Sequence, residues 1–148
     1  MFGSRVAARL GLLLLAVALL GACGASATQS PATPSPTANP DVALMKDLDA
    51  VWSTPYDAAK VAALYATNAV FHDMVVNQTS TGLEEIQTKV KEYAAQNFKA
   101  TSTSAPIRQD NFVAVFVKFG APDATYPGLS VVELKDGMVL NQWVYPAP

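Results

Sequence analysis

Three regimes of apolar and polar positions follow one another along the 148 residues. Leu10 to Leu20 is an unbroken apolar run. Gly24 to Pro40 then carries neither a charge nor a large apolar side chain. From Asp41 onward apolar and polar positions interleave, first with a helical period. Leu44, Leu48 and Val51 recur at three- and four-residue spacing, which predicts an amphipathic helix over 42–52 capped by Asp41. Ser53-Thr54-Pro55 restarts the chain. Thr54 as N-cap and Pro55 in the first turn predict a second helix to about Tyr65, with Val61, Leu64 and Tyr65 inward. Thr81-Gly82-Leu83-Glu84 reads as a capping box that opens a third helix to about Gln96, with Leu83, Ile86, Val90, Tyr93 and Ala94 as its apolar stripe.

Between and after the helices the period falls to two. Val70 to Val76 predicts a strand, and Asn77 to Ser80 a loop. Lys99 to Arg108 is Ser/Thr-rich and extended, with Pro106 marking an edge or a bulge. Asn111 to Phe119 alternates Phe112, Ala114, Phe116 and Lys118 with Val113, Val115, Val117 and Phe119. Leu129 to Leu134 and Met138 to Tyr145 are two further strands, joined by the turn Lys135-Asp136-Gly137. The order is ααβαββββ. Sequential strands joined by short turns predict an α+β layer design, a curved antiparallel sheet with the three helices on one face.

The two opening regimes concern location. Met1 to Arg9 carries Arg5 and Arg9 and no acid, and Gly21-Ala22 precedes Cys23, the one cysteine of the chain. Basic start, short apolar core and small-residue cleavage site make a secretory signal over 1–22. The apolar run is too short to span a bilayer, which takes roughly 20 residues. Leu20-Gly21-Ala22-Cys23 resembles the bacterial lipobox. That resemblance implies a diacylglyceryl thioether on Cys23, cleavage before it and acylation (palmitate) of the new amine, hence a membrane anchor on the extracytoplasmic side. Two acyl chains suffice for stable anchoring. Residues 23–40 hold four Pro and six Ser or Thr after Cys23 and read as an extended spacer of roughly 50 Å at most.

Residues 41–148 are one domain's worth of chain. Without the signal, 8 Lys plus Arg stand against 12 Asp plus Glu, a formal net of −4 with the acids scattered. No basic cluster exists, so nucleic acid is not expected as a partner. Nor is there a Gly-rich phosphate loop or a Gly-x-Ser-x-Gly, and no cofactor is called for. With one histidine and a lipidated cysteine, a transition-metal site is not expected.

The element order, with Leu64-Tyr65-Ala66-Thr67-Asn68-Ala69-Val70-Phe71-His72-Asp73, Thr81 to Ile86 and the closing hairpin Val132 to Trp143, resembles the nuclear transport factor 2-like superfamily, in its SnoaL-like and ketosteroid-isomerase-like branches. The resemblance implies a cone-like sheet wrapped around helices, with an apolar pocket at its open end, often as a dimer. It makes Asp73 the match of the isomerases' general base, a catalytic candidate. A carboxylate facing an apolar pocket suits proton transfer. The family's oxyanion groups fall near Asp49 and near Ser130, which departs from the isomerase pattern and favours binding over catalysis. Trp52, Tyr65, Phe71, Phe116, Ser130 and Trp143 are the expected pocket residues. His72 neighbours Asp73 on a strand and therefore faces away from the pocket. Three functions remain open: a lipid-anchored binder of a small apolar ligand, an isomerase- or cyclase-type enzyme using Asp73, and a structural module of the cell envelope. The two-sided apolar strand 112–119 favours a homodimer.

Overall fold

The computed structural model describes residues 39–147. The signal segment, Cys23 and the spacer to Ala38 lie outside them. In chain order the elements are α1 (Pro40–Val51), α2 (Ala58–Leu64), β1 (Tyr65–Asp73), β2 (Gln78–Thr81), α3 (Leu83–Ala95), β3 (Lys99–Ser102), β4 (Ile107–Gln109), β5 (Phe112–Ala121), β6 (Ala124–Lys135) and β7 (Met138–Pro146). The class is α+β, and seven strands form one curved sheet in the order β2-β1-β7-β6-β5-β3, with β4 also on β5.

The sheet is mixed rather than antiparallel. β5, β6 and β7 form an antiparallel meander, but β7 returns beside β1 and pairs with it in parallel. A hairpin cannot join parallel neighbours, so the intervening chain, including α3, crosses over the sheet. Two strands exceed the expected order. Gln78–Thr81 pairs with β1 as β2 instead of forming a loop, and the Ser/Thr-rich stretch splits into β3 and β4. Pro106 lies in the break between those two, where a missing N–H removes no ladder bond.

Helix starts also differ from expectation. Asn39 caps α1, its Oδ1 accepting from the Asp41 amide at 2.9 Å, while Asp41 is bonded by the Arg108 guanidinium of β4. Arg108 holds the Asp41 carboxyl below the usual carboxylate range. Asp57, not Thr54, caps α2, accepting from the amides of Ala59 at 3.0 Å and Lys60 at 3.3 Å. Thr81 is occupied in β2, so α3 starts after Gly82 at φ 85°, and Glu85 rather than Glu84 reaches back to the Thr81 amide at 2.7 Å. Asp136 (φ 53°) and Gly137 (φ 82°) make the expected tight turn.

One core joins the layers. Met45, Leu48, Val51 and Trp52 from α1 and its end, Val61 from α2, and Ile86 and Val90 from α3 meet Tyr65, Phe71, Val113, Val115, Val117, Phe119, Val132 and Val139 on the concave sheet face. Val113, Val115, Val117 and Phe119 point in while Phe112 and Phe116 point out, as alternation requires. Among the described residues the core and the strand pairings form a single compact unit.

Candidate functional site

The concave face does not close over. Between α1, α3 and the inner faces of β5 to β7 lies a cavity of about 280 Å³. Its walls are apolar, with Met45 and Leu48 from α1, Val115, Val117 and Phe119 from β5, and Phe71 from β1. The turn after β1 supplies Val75 and Val76, which are partly exposed at the cavity's edge. The same alternation that builds the core thus leaves a space comparable to the smaller ligand sites.

A chain of polar side chains runs through the cavity wall. Trp52 Nε1 donates to the Tyr65 hydroxyl at 2.7 Å and lies 3.2 Å from Gln142 Oε1. Tyr65 in turn donates to Gln142 Oε1, and Gln142 Nε2 donates to Ser130 Oγ at 3.2 Å. Burial pushes the Tyr65 phenol well above its ordinary value, which keeps it a donor. Ser130 uses its oxygen as acceptor here, so its hydroxyl proton is not spent on Gln142. A fully bonded network of this kind fixes side chains that an apolar wall would leave free to rotate.

Two carboxylates also line the cavity. Asp73 is 4% exposed. Its Oδ1 accepts from the amides of Val75 at 3.0 Å and Val76 at 3.3 Å, and its Oδ2 accepts from the Tyr93 hydroxyl. Burial, reinforced by the Asp73 carboxylate, pushes the Tyr93 phenol up, so Tyr93 stays protonated and donating. Asp49, on α1, accepts from the Ser102 amide at 2.7 Å and the Ser102 hydroxyl at 3.1 Å. Burial raises the Asp49 carboxyl above the usual range, opposed by both Ser102 bonds. The Asp73 Oδ2 accepts one bond, from Tyr93, and keeps a second lone pair with which it can orient a ligand.

The structure sorts the sequence candidates. Trp52, Phe71, Asp73 and Ser130 line one cavity. Tyr65 sits behind it, fully buried, and acts through Trp52 and Gln142. Phe116 and Trp143 are corrected. Phe116 is 56% exposed on the opposite sheet face, as its alternation with Val115 and Val117 demands. Trp143 lies on that outer face too, stacked on His72 with centroids 5.4 Å apart and rings 7° from parallel. His72 thus faces away from the cavity, with Nδ1 3.3 Å from Thr79 Oγ1. Sequence reasoning missed Tyr93, Gln142 and Ser102. Tyr93 read as core stripe, and nothing local marks Gln142. Asp49 carried a legible signal, since it continues the buried positions Met45, Leu48 and Trp52 of one helix face. Among the described residues no cluster of three or more His, Cys, Asp or Glu is placed to hold a metal ion, and no helix is long and apolar enough to cross a membrane.

No protein-family model matches this sequence, and no curated protein matches it. Solved structures do match in shape. A protein with a ketosteroid isomerase-like fold from Catenulispora acidiphila, in complex with trimethylamine, is 20% identical with a TM-score of 0.61, covering 69% of this chain and 83% of that one. A provisionally assigned isomerase of the SnoaL-like family from Agrobacterium tumefaciens is 17% identical with a TM-score of 0.63, over 72% and 97%. A proposed polyketide cyclase from Streptomyces antibioticus is 13% identical with a TM-score of 0.58, over 71% and 90%. At these identities the likeness shows the fold, the nuclear transport factor 2-like cone.

Proposed function

We propose that this chain is a lipid-anchored extracytoplasmic protein whose cone binds a small, largely apolar ligand. The observation that carries the reading is the apolar cavity with a few convergent polar groups, Ser130, Asp73 and Asp49, held in place by bonded partners. Pockets of that composition are the usual form of small-molecule sites. One structural neighbour was solved with a small molecule, trimethylamine. N-phenyl-1-naphthylamine, an uncharged and largely apolar fluorescent probe, tests the reading. Its emission should rise and saturate with the segment 39–147 at one site per chain. No saturable rise would reject it.

The second reading is catalysis. Asp73 and Ser130 line the same cavity, and isomerase- and cyclase-type names occur among the structural neighbours. Asp73→Asn separates the two readings. Saturable binding with no turnover of any bound compound by the unaltered protein supports binding, whereas turnover that Asp73→Asn abolishes while the probe still binds supports a reaction.

The anchor rests on Leu20-Gly21-Ala22-Cys23. Cys23→Ser should move the protein from the membrane pellet to the soluble fraction, or leave an uncleaved precursor, and should abolish labelling by radioactive palmitate. Labelling that survives the substitution would reject Cys23 as the lipidated residue. The outer sheet face supports a homodimer. Phe112 is 41% and Phe116 56% exposed, and Leu129 and then Tyr145 continue the row from Phe116 across the ladder. A second copy laying the same face against it would cover an apolar surface unusual for a monomer. Phe116→Asp should convert the dimer to monomer in light scattering, and an unchanged mass would reject this face as the interface.

A further inference from the structure

We infer that the cavity is made for a ligand that is apolar in bulk and carries a positive charge, an alkylated or aryl ammonium. The inference rests on the ligand-binding reading above and names the chemistry of that ligand.

The first observation is the charge of the lining. Asp49 and Asp73 both face the cavity, and among the described residues no Lys, Arg or His lines it. Elsewhere on the domain aspartates do have cations: Asp41 is paired with Arg108, and Asp57 with Lys60. Among the described residues Asp49 and Asp73 are bonded by neutral donors alone, namely the Ser102 amide and hydroxyl, the Val75 and Val76 amides, and the Tyr93 phenol. Neutral donors orient a carboxylate but do not cancel its charge. A carboxylate withdrawn from water without a counter-charge is held at a cost, and the upward push of burial on Asp49 shows it. A cationic ligand removes that cost on arrival. An anionic ligand would meet two like charges, and a neutral one would leave both carboxylates without a counter-charge.

The second observation is the wall material. Trp52 packs on Phe71 with centroids 4.4 Å apart, and Tyr93 on Phe98 at 4.7 Å, and all four rings line the cavity. Aromatic faces attract cations most strongly where water is excluded. Carboxylates and aromatic rings around one open-mouthed space are two sources of affinity for the same kind of ion, with Trp52 and Phe71 the rings concerned, since Tyr93 is stacked on Phe98 and already carries Lys89 Nζ 5.4 Å from its centroid. The volume, about 280 Å³, suits an ammonium carrying one ring or a few alkyl groups.

Phenyltrimethylammonium and its uncharged isostere tert-butylbenzene have nearly the same shape, so their difference isolates the charge. Each is titrated against bound N-phenyl-1-naphthylamine on the segment 39–147. The cation should displace the probe at about tenfold lower concentration than the isostere. In Asp49→Asn and in Asp73→Asn that ratio should fall toward one. Equal or tighter binding of tert-butylbenzene by the unaltered protein would overturn the inference while the apolar-ligand reading stands. A probe that never binds would sink both.

Discussion

Replacing Trp52 with alanine should destabilise the domain by about 3–5 kcal/mol, among the largest effects of any single substitution. The indole is 6% exposed. It packs against Phe71 at 4.4 Å and Tyr93 at 5.9 Å between centroids, so three elements lose a common neighbour. Its Nε1 also anchors the polar chain through Tyr65 and Gln142. Trp52→Phe separates these contributions. It keeps a ring in place and removes the donor, and Tyr65 still has Gln142 as acceptor, so roughly 1–2 kcal/mol should be lost. Urea denaturation of the segment 39–147, followed by far-ultraviolet circular dichroism, gives both values. A loss below about 1 kcal/mol for the alanine variant would mean that the indole is not the keystone its contacts describe.

Val117→Trp should abolish binding of an apolar probe, a loss of about 100-fold or more. Val117 points into the cavity from β5, and an indole at that position takes the space a ligand's ring would use. Overpacking costs about 1–3 kcal/mol, less than the domain loses with Trp52, because the cavity already offers room for the new ring. Titration of N-phenyl-1-naphthylamine on the variant, with a melting curve to confirm folding, is the measurement. Undiminished binding would place the probe elsewhere, the exposed aromatic face around Phe116 being the obvious alternative.

The parts of this fold visible in the sequence are those governed by an uninterrupted period. The alternation of β5 places Val113, Val115, Val117 and Phe119 on one face, and the three- and four-residue spacing of Ile86, Val90 and Tyr93 orients α3. What escaped depends on interruptions of period. In β7 Val139 is buried, and so is Gln142, three residues later, so the inward parity switches between them. The pairing shows the reason. Glu133 faces Asn141 but Leu134 faces Val139, which makes Leu140 an extra residue in the strand. Trp143 shares the parity of Val139 and would face inward in a regular strand. The bulge turns it out against His72 and brings Gln142 in. No count of apolar residues locates a bulge. The helix caps failed for a related reason. Thr81 is a good cap in isolation, but its backbone is committed to β2 against Val70. The polar network was illegible because it joins Trp52, Tyr65, Ser130 and Gln142 across as many as 90 positions.

The placement of β7 sets a condition on when this protein can become functional. The most C-terminal strand among the described residues sits inside the sheet between β1 and β6, and it delivers Gln142 and Val144 to the cavity. A nascent chain ending before Met138 leaves β1 without its parallel neighbour and β6 with a bare edge, however well its helices have formed. Long-range closure of this kind comes late in folding, and unpaired edges invite other chains while it is awaited. The cavity therefore forms only once β7 has been made, and loss of β7 should remove it as completely as loss of α1.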